Sequence, residues 1–120
     1  MISPTGKGIR VDSEGDGHHG TSRGLRRHNG TDYLCDQGQE IRAPFDMVIK
    51  RIANPKANSP LSGIEWTTVK SSGKMFYFRP YKQIIGQEAI EGEVIGLAQS
   101  VSQDYGLPNM LDHIHFQVDK

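Results

Sequence analysis

Five histidines, one cysteine and fourteen acidic residues hold most of the chemistry open to this 120-residue chain. The histidines stand at His18, His19, His28, His113 and His115. Residues two apart on an extended strand share a face, so His113 and His115 present adjacent imidazoles while Ile114 turns the other way. His28 is followed four residues later by Asp32. Gly30 between them gives the backbone the freedom to bring imidazole and carboxylate together. Zn²⁺ accepts His nitrogen and Asp oxygen at roughly 2.0–2.2 Å, and three protein ligands leave a fourth position open. Either half alone is a frequent coincidence, since a His-x-His on a strand edge is more often surface decoration. Both halves in one small chain make a zinc site the expected chemistry.

The elements that must carry these groups read as short strands. Hydrophobic residues make up 35% of the chain, with fourteen glycines and six prolines, a mixture that suits strands and turns better than helices. Residues 1–23 are polar, Gly-rich and without periodicity, which predicts an irregular N-terminal arm, and residues 24–120 form the domain. Strands are predicted over Glu40–Pro44, Met47–Ile52 and Glu93–Ala98. Ile64–Lys70 and Lys74–Arg79 flank Ser71-Ser72-Gly73 as a β-hairpin rich in aromatic and β-branched residues. Residues 99–106 are expected to form a short helical turn. The alternating segment Asp112–Val118 is predicted as the closing strand. The expected fold is mainly β, one antiparallel β-sheet domain with little helix.

Charge and composition exclude several functions. Lys plus Arg and Asp plus Glu number fourteen each, so no net basic field draws in nucleic acid or an anionic membrane. No apolar run approaches the ~18 residues that span a bilayer. The first residues lack the apolar core of a secretory signal, which fits either a cytoplasmic protein or a mature form. The single Cys35 excludes an internal disulfide framework. It reads as a buried small hydrophobe, with an intermolecular bridge in a secreted homodimer as the alternative.

Four segments carry a family likeness. His28-Asn29-Gly30-Thr31-Asp32, Arg42-Ala43-Pro44-Phe45-Asp46-Met47-Val48, Gly92-Glu93-Val94-Ile95-Gly96 and His113-Ile114-His115-Phe116 resemble the lysostaphin-type zinc metallopeptidases, the glycyl-glycine and peptidoglycan endopeptidases. Asp32-Tyr33-Leu34-Cys35, Ala43-Pro44-Phe45 and Lys74-Met75-Phe76-Tyr77-Phe78-Arg79-Pro80 are most similar to the animal leukocyte cell-derived chemotaxin 2 branch. The resemblance covers roughly residues 12 to 118. It implies a lysostaphin-peptidase fold, with His28, Asp32 and His115 as zinc ligands. His113 would be the imidazole that assists zinc-bound water in active relatives without ligating the metal. The neighbouring cysteines of the family are missing here, which puts its disulfide scheme in doubt.

One departure bears on activity. Active relatives place a second catalytic His two residues after a Tyr, where this chain has Arg79 after Tyr77. A guanidinium stays charged and cannot serve as a base, although it can stabilise an oxyanion or pair with a carboxylate. The expected function is therefore secreted, zinc-dependent recognition by a catalytically degenerate peptidase domain. The ligand is expected to be a carbohydrate or another anionic molecule contacted by Arg79, His113 and Tyr105. The alternatives are an active zinc endopeptidase, a cytokine-like protein acting on a cell-surface receptor, and a purely structural zinc with recognition elsewhere. His18 and His19 read as solvated loop residues. Arg23, Arg26 and Arg27 read as a solvated basic patch, and Asn29-Gly30-Thr31 as a chance match to the N-glycosylation pattern. Trp66, Phe76, Tyr77 and Phe78 are expected in the core and its flanks rather than as a sugar-stacking platform.

Overall fold

The computed structural model describes residues 1–12, 15–16, 22–23, 26–27, 30–107 and 109–119, with the pairs between 11 and 27 described by backbone alone. His18, His19, His28 and Asn29 lie outside the described residues. Two short antiparallel ladders occupy the N-terminal region: β1 (Val11–Asp12) with β2 (Gly15–Asp16), and β3 (Ser22–Arg23) with β4 (Arg26–Arg27). The larger elements are β5 (Thr31–Leu34), β6 (Glu40–Arg42), β7 (Met47–Ala53), β8 (Gly63–Thr67), β9 (Ser72–Phe76), β10 (Phe78–Pro80), β11 (Glu88–Ala89), β12 (Val94–Ala98), the helix α1 (Val101–Tyr105) and β13 (His113–Val118). Among the described residues the fold is mainly β, with every strand pairing antiparallel.

Six strands form one sheet in the order β11-β7-β8-β9-β13-β5, and three form a second in the order β10-β12-β6. Alternation along the strands supplies the core between them. Ile64 and Trp66 of β8, Met75 of β9, Ile114 and Phe116 of β13, Phe78 of β10 and Ile95 of β12 are all buried in one cluster. Trp66 stacks on Phe116 with ring centroids 5.7 Å apart, and Phe45 meets both edge-on at 5.1 and 5.8 Å. Such offset and edge contacts are the favoured aromatic geometries. Trp66 and Phe78 are thus core residues, as the sequence leads one to expect.

The predicted hairpin forms, but its second arm is shorter than the composition suggests. β9 ends at Phe76 because Tyr77 takes φ 81°, a region that costs a non-glycine residue of order 1 kcal/mol or more. The chain then leaves the large sheet, and Phe78–Pro80 pairs instead with β12. The break also puts the consecutive Phe76 and Tyr77 rings beside His115, with Tyr77 beside His113 as well. The first ten residues, predicted as part of an irregular arm, are irregular yet packed onto the domain. Ile2, Pro4 and Gly8 exchange backbone hydrogen bonds with Pro44, Arg42 and Leu34, and Ile9 bridges to Tyr33. These bonds satisfy edge groups of β5 and β6 that would otherwise face solvent.

Candidate functional site

β13 runs between β5 and β9, and that placement builds the site. Its Ile114 and Phe116 face the core, so period-two alternation directs His113, His115 and Gln117 to the opposite face. The register puts His115 directly across from Asp32 on β5 and from Phe76 on β9. Gly30, just before β5, allows the close approach: a Cβ there would lie 2.4 Å from the Phe116 carbonyl oxygen and 3.0 Å from the His115 ring. α1 anchors the entry to β13. Ser100 caps its N-terminus and donates to the Asp112 carboxylate, which also accepts from the Ser102 backbone N–H.

Asp32 is the centre of the cluster and is only 2% exposed. Its Oδ1 lies 2.8 Å from His115 Nδ1. Its Oδ2 accepts from Arg10 Nη1 at 3.1 Å and lies 3.6 Å from His113 Nε2. Arg10 is equally buried, at 2%, and its Nη1 is also 3.3 Å from His113 Nε2. His113 Nδ1 is 2.8 Å from the Leu111 carbonyl oxygen, which can only accept. Nδ1 therefore carries the proton, and Nε2 holds the lone pair that faces Arg10. Burial holds the His113 pKa below its ordinary value, opposed in part by the Asp32 charge.

Aromatic rings close the site from the side. Phe76 stacks on His115 at 5.6 Å, and Tyr77 meets His113 edge-on at 5.3 Å. Burial, then the hydrogen bond with Tyr105, push the Tyr77 phenol well above its ordinary pKa. Tyr105 thus reaches the site through Tyr77, and Lys56 lies over its ring at 4.1 Å.

The structure brings together Asp32, His113 and His115 of the residues singled out in the sequence. The His28 position falls outside the described residues. Arg79 is exposed on β10 and lines a cleft of about 480 Å³ with Gln37, Leu61, Leu97, Gln99 and Asp104, whose lining includes none of Asp32, His113 or His115. Arg10 is the site residue that sequence reasoning missed. It lies in a polar segment without periodicity, and the available signal was the need of a buried carboxylate for a cation.

Imidazole nitrogen and carboxylate oxygen are both donor types that zinc accepts. Asp32 Oδ1 and His115 Nδ1 stand 2.8 Å apart, a hydrogen-bond distance shorter than the roughly 3.3 Å between tetrahedral zinc ligands. Among the described residues no group of three or more His, Cys, Asp or Glu side chains could hold a metal ion. The Asp32–His115 pair needs a third donor.

Fold and site together define a mainly antiparallel β protein with a buried carboxylate–histidine cluster on the outer face of its larger sheet. The chain is 30% identical over 110 residues to leukocyte cell-derived chemotaxin-2 of Bos taurus and 31% identical over 110 residues to that of Mus musculus. Each alignment covers 88% of this chain and 69% of the relative. The chain belongs to the leukocyte cell-derived chemotaxin-2 family. No protein-family profile matches it. Among the described residues no helix is long and apolar enough to cross a membrane.

Proposed function

We propose that this chain is a secreted zinc-binding recognition domain, built on a peptidase-type scaffold that no longer hydrolyses peptides. His28, Asp32 and His115 are the zinc ligands in this reading. The observation that carries it is the juxtaposition of Asp32 Oδ1 and His115 Nδ1 on paired strands, 2.8 Å apart and largely shielded from water. Bound there, zinc would supply Lewis acidity and one open coordination position.

The surrounding side chains favour recognition over hydrolysis. By the peptidase resemblance a second imidazole would stand at position 79, where this chain has an arginine that lies in a separate cleft, and loss of one general acid–base group typically costs ~10²–10⁴-fold in rate. The His113 lone pair faces a guanidinium donor, so it is not free to take a proton. The Arg79 cleft suits an anionic ligand. Among the described residues Arg79 has no acidic partner, while Asp104 in the same cleft is held by Lys56 at 2.8 Å and Ser59 at 2.9 Å. A carboxylate-bearing glycan or an acidic side chain of a receptor would pair with the Arg79 fork. The name of the relatives, leukocyte cell-derived chemotaxin-2, favours the receptor as a second reading.

Metal analysis after dialysis against zinc is expected to give one ion per chain, abolished in Asp32→Asn. A glycan array probed with and without chelator tests the ligand, with loss of signal in Arg79→Gln expected. Pentaglycine hydrolysis by the wild type would overturn the non-catalytic reading. A protein that takes up no zinc overturns the metal reading.

A further inference from the structure

The smaller sheet sets a cation beside an apolar side chain. β10 buries Phe78 and Pro80, and β12 buries Gly96 and Ala98, so alternation turns Arg79 and Leu97 outward. The register places these two residues directly opposite each other, at the Cβ spacing of about 5 Å that neighbouring antiparallel strands impose. Both line the cleft of about 480 Å³, where buried Leu61 and Ala98 add apolar surface. Gln37 and Gln103, both exposed, add amide groups. A volume of this size falls within the ~300–1,000 Å³ of small-ligand sites.

The protein itself fixes the walls. Gln99 accepts from the Ser62 backbone N–H at 2.8 Å and donates to the Pro60 carbonyl at 2.8 Å, which ties residues 60–62 to the end of β12. Ser59 donates to Asp104 at 2.9 Å and ties the same loop to α1. Two carboxylates share this neighbourhood, and each has a cation of its own. Asp104 pairs with Lys56 at 2.8 Å, and Glu40, across Leu97 on β6, pairs with Arg42 at 3.4 Å. Among the described residues that line the cleft, Arg79 carries the uncompensated charge.

That arrangement selects a ligand class. One guanidinium grips one carboxylate through two parallel N–H donors. The ligand must also bring an apolar group within about 5 Å of that carboxylate, over Leu97. The last residue of a peptide does both, because its carboxylate and side chain share one Cα. An internal acidic residue has its next same-face side chain about 6.6 Å further along an extended chain. Among the described residues that line the cleft none is aromatic, so a sugar ring finds no ring face to stack on.

We propose that the Arg79 cleft receives the C-terminal residue of a partner peptide: the guanidinium pairs with the free carboxylate, and Leu61, Leu97 and Ala98 take an aliphatic side chain. This inference rests on the anionic-ligand reading of the cleft above and narrows it. It calls on no metal, since Asp32, His113 and His115 are not among the lining residues.

The test is fluorescence anisotropy of the full chain with four fluorescein-labelled probes. These are Gly-Ser-Gly-Leu with a free C-terminus, the same peptide as its C-terminal amide, Gly-Ser-Gly-Ser as the free acid, and a tetrasaccharide of a uronic-acid glycan. The leucine free acid is expected to bind saturably with Kd below about 1 mM. Affinity should fall about tenfold or more for the amide and for Arg79→Gln, and about tenfold for the serine peptide. Leu97→Gln should erase the preference for leucine while the preference for acid over amide persists. Both positions are exposed, so neither variant threatens the fold, and EDTA should change none of these values. Equal affinities for acid and amide, or for wild type and Arg79→Gln, overturn the proposal, as does peptide binding that EDTA abolishes. Saturable binding of the tetrasaccharide through Arg79 with no peptide bound overturns the peptide assignment and leaves the anionic-ligand reading standing. Failure of all four probes to bind refutes that reading and this inference with it.

Discussion

Gly30→Ala couples the fold to the site, and its cost follows from two distances. The added Cβ would lie 2.4 Å from the Phe116 carbonyl oxygen, whereas carbon–oxygen contacts close at about 3.3 Å. The backbone must yield by roughly 0.9 Å. Phe116 cannot simply retreat, because β13 is paired on its other side with Met75 of β9. Overpacking of this kind costs about 1–3 kcal/mol, offset by up to ~1 kcal/mol of backbone entropy that glycine loses on folding. The net loss is expected near 1–2 kcal/mol, or roughly 4–8 °C in Tm for a chain of this size. Gly96→Ala is the control: its Cβ would lie 2.3 Å from the Arg79 carbonyl oxygen in the smaller sheet, a similar clash away from the proposed zinc ligands. Thermal melts by circular dichroism should show comparable losses for the two variants. Zinc affinity measured well below Tm should fall at least tenfold in Gly30→Ala alone, because the new methyl also lies 3.0 Å from the His115 imidazole. Equal zinc affinities in the two variants, or an unchanged Tm in Gly30→Ala, would refute the reasoning.

Cys35 is buried, and burial followed by the Asp112 and Asp36 charges pushes its thiol up to about 12. A disulfide-exchange reagent should therefore label it at pH 8 in urea but not in the native state. The unfolded thiol ionises near 9 and the folded one near 12, so the unfolded chain sheds its proton first. Stability should then fall by up to about 1.4 kcal/mol per pH unit between those values, and Cys35→Ala should remove that share of the fall in urea titrations at pH 8 and pH 10. Trp66 is fully buried and its indole Nε1 has no hydrogen-bond partner among the described residues. Trp66→Phe trades a small void for removal of that unsatisfied donor; urea melts should show a change under about 1 kcal/mol, against about 3–5 kcal/mol for Trp66→Ala. Chelator should lower Tm relative to protein at a hundredfold excess of zinc over Kd, by the equivalent of about 2.7 kcal/mol; identical melts would count against a folded-state zinc site.

The parts of the structure legible in the sequence are those fixed by alternation. β13 could be placed, and its histidines assigned to one face, because Ile114 and Phe116 must be buried together and the period of a strand is two. The hairpin of β8 and β9 was legible for the same reason, but its end was not. Tyr77 adopts a left-handed backbone that no preference of tyrosine announces, and the switch of Phe78–Pro80 to the second sheet follows from it. The family resemblance put Arg79 where active relatives carry a catalytic imidazole. In the structure Tyr77 faces His113, and Arg79 lines a cleft that includes none of Asp32, His113 or His115. Arg10 was invisible for a different reason. Arginine is among the residues least often buried, and its segment is held by single backbone bonds to β5 rather than by a repeating ladder, so it leaves no periodic trace.

Asp32 explains why these features belong together. An ionised carboxylate at 2% exposure is tolerated only with compensating charge or hydrogen bonds. Arg10 supplies the charge from the N-terminal segment, and β13 supplies the imidazoles. The carboxylate therefore ties together three stretches of chain far apart in sequence, and the neutralisation by Arg10 is in place before any metal is considered. Under the proposed reading zinc would have no need to hold β5 to β13, because the ladder from His113↔Leu34 to Phe116↔Thr31 already does so. An ion whose loss leaves the sheet paired is free to serve the surface it faces. This is the physical basis for reading the cluster as a recognition site rather than as a staple.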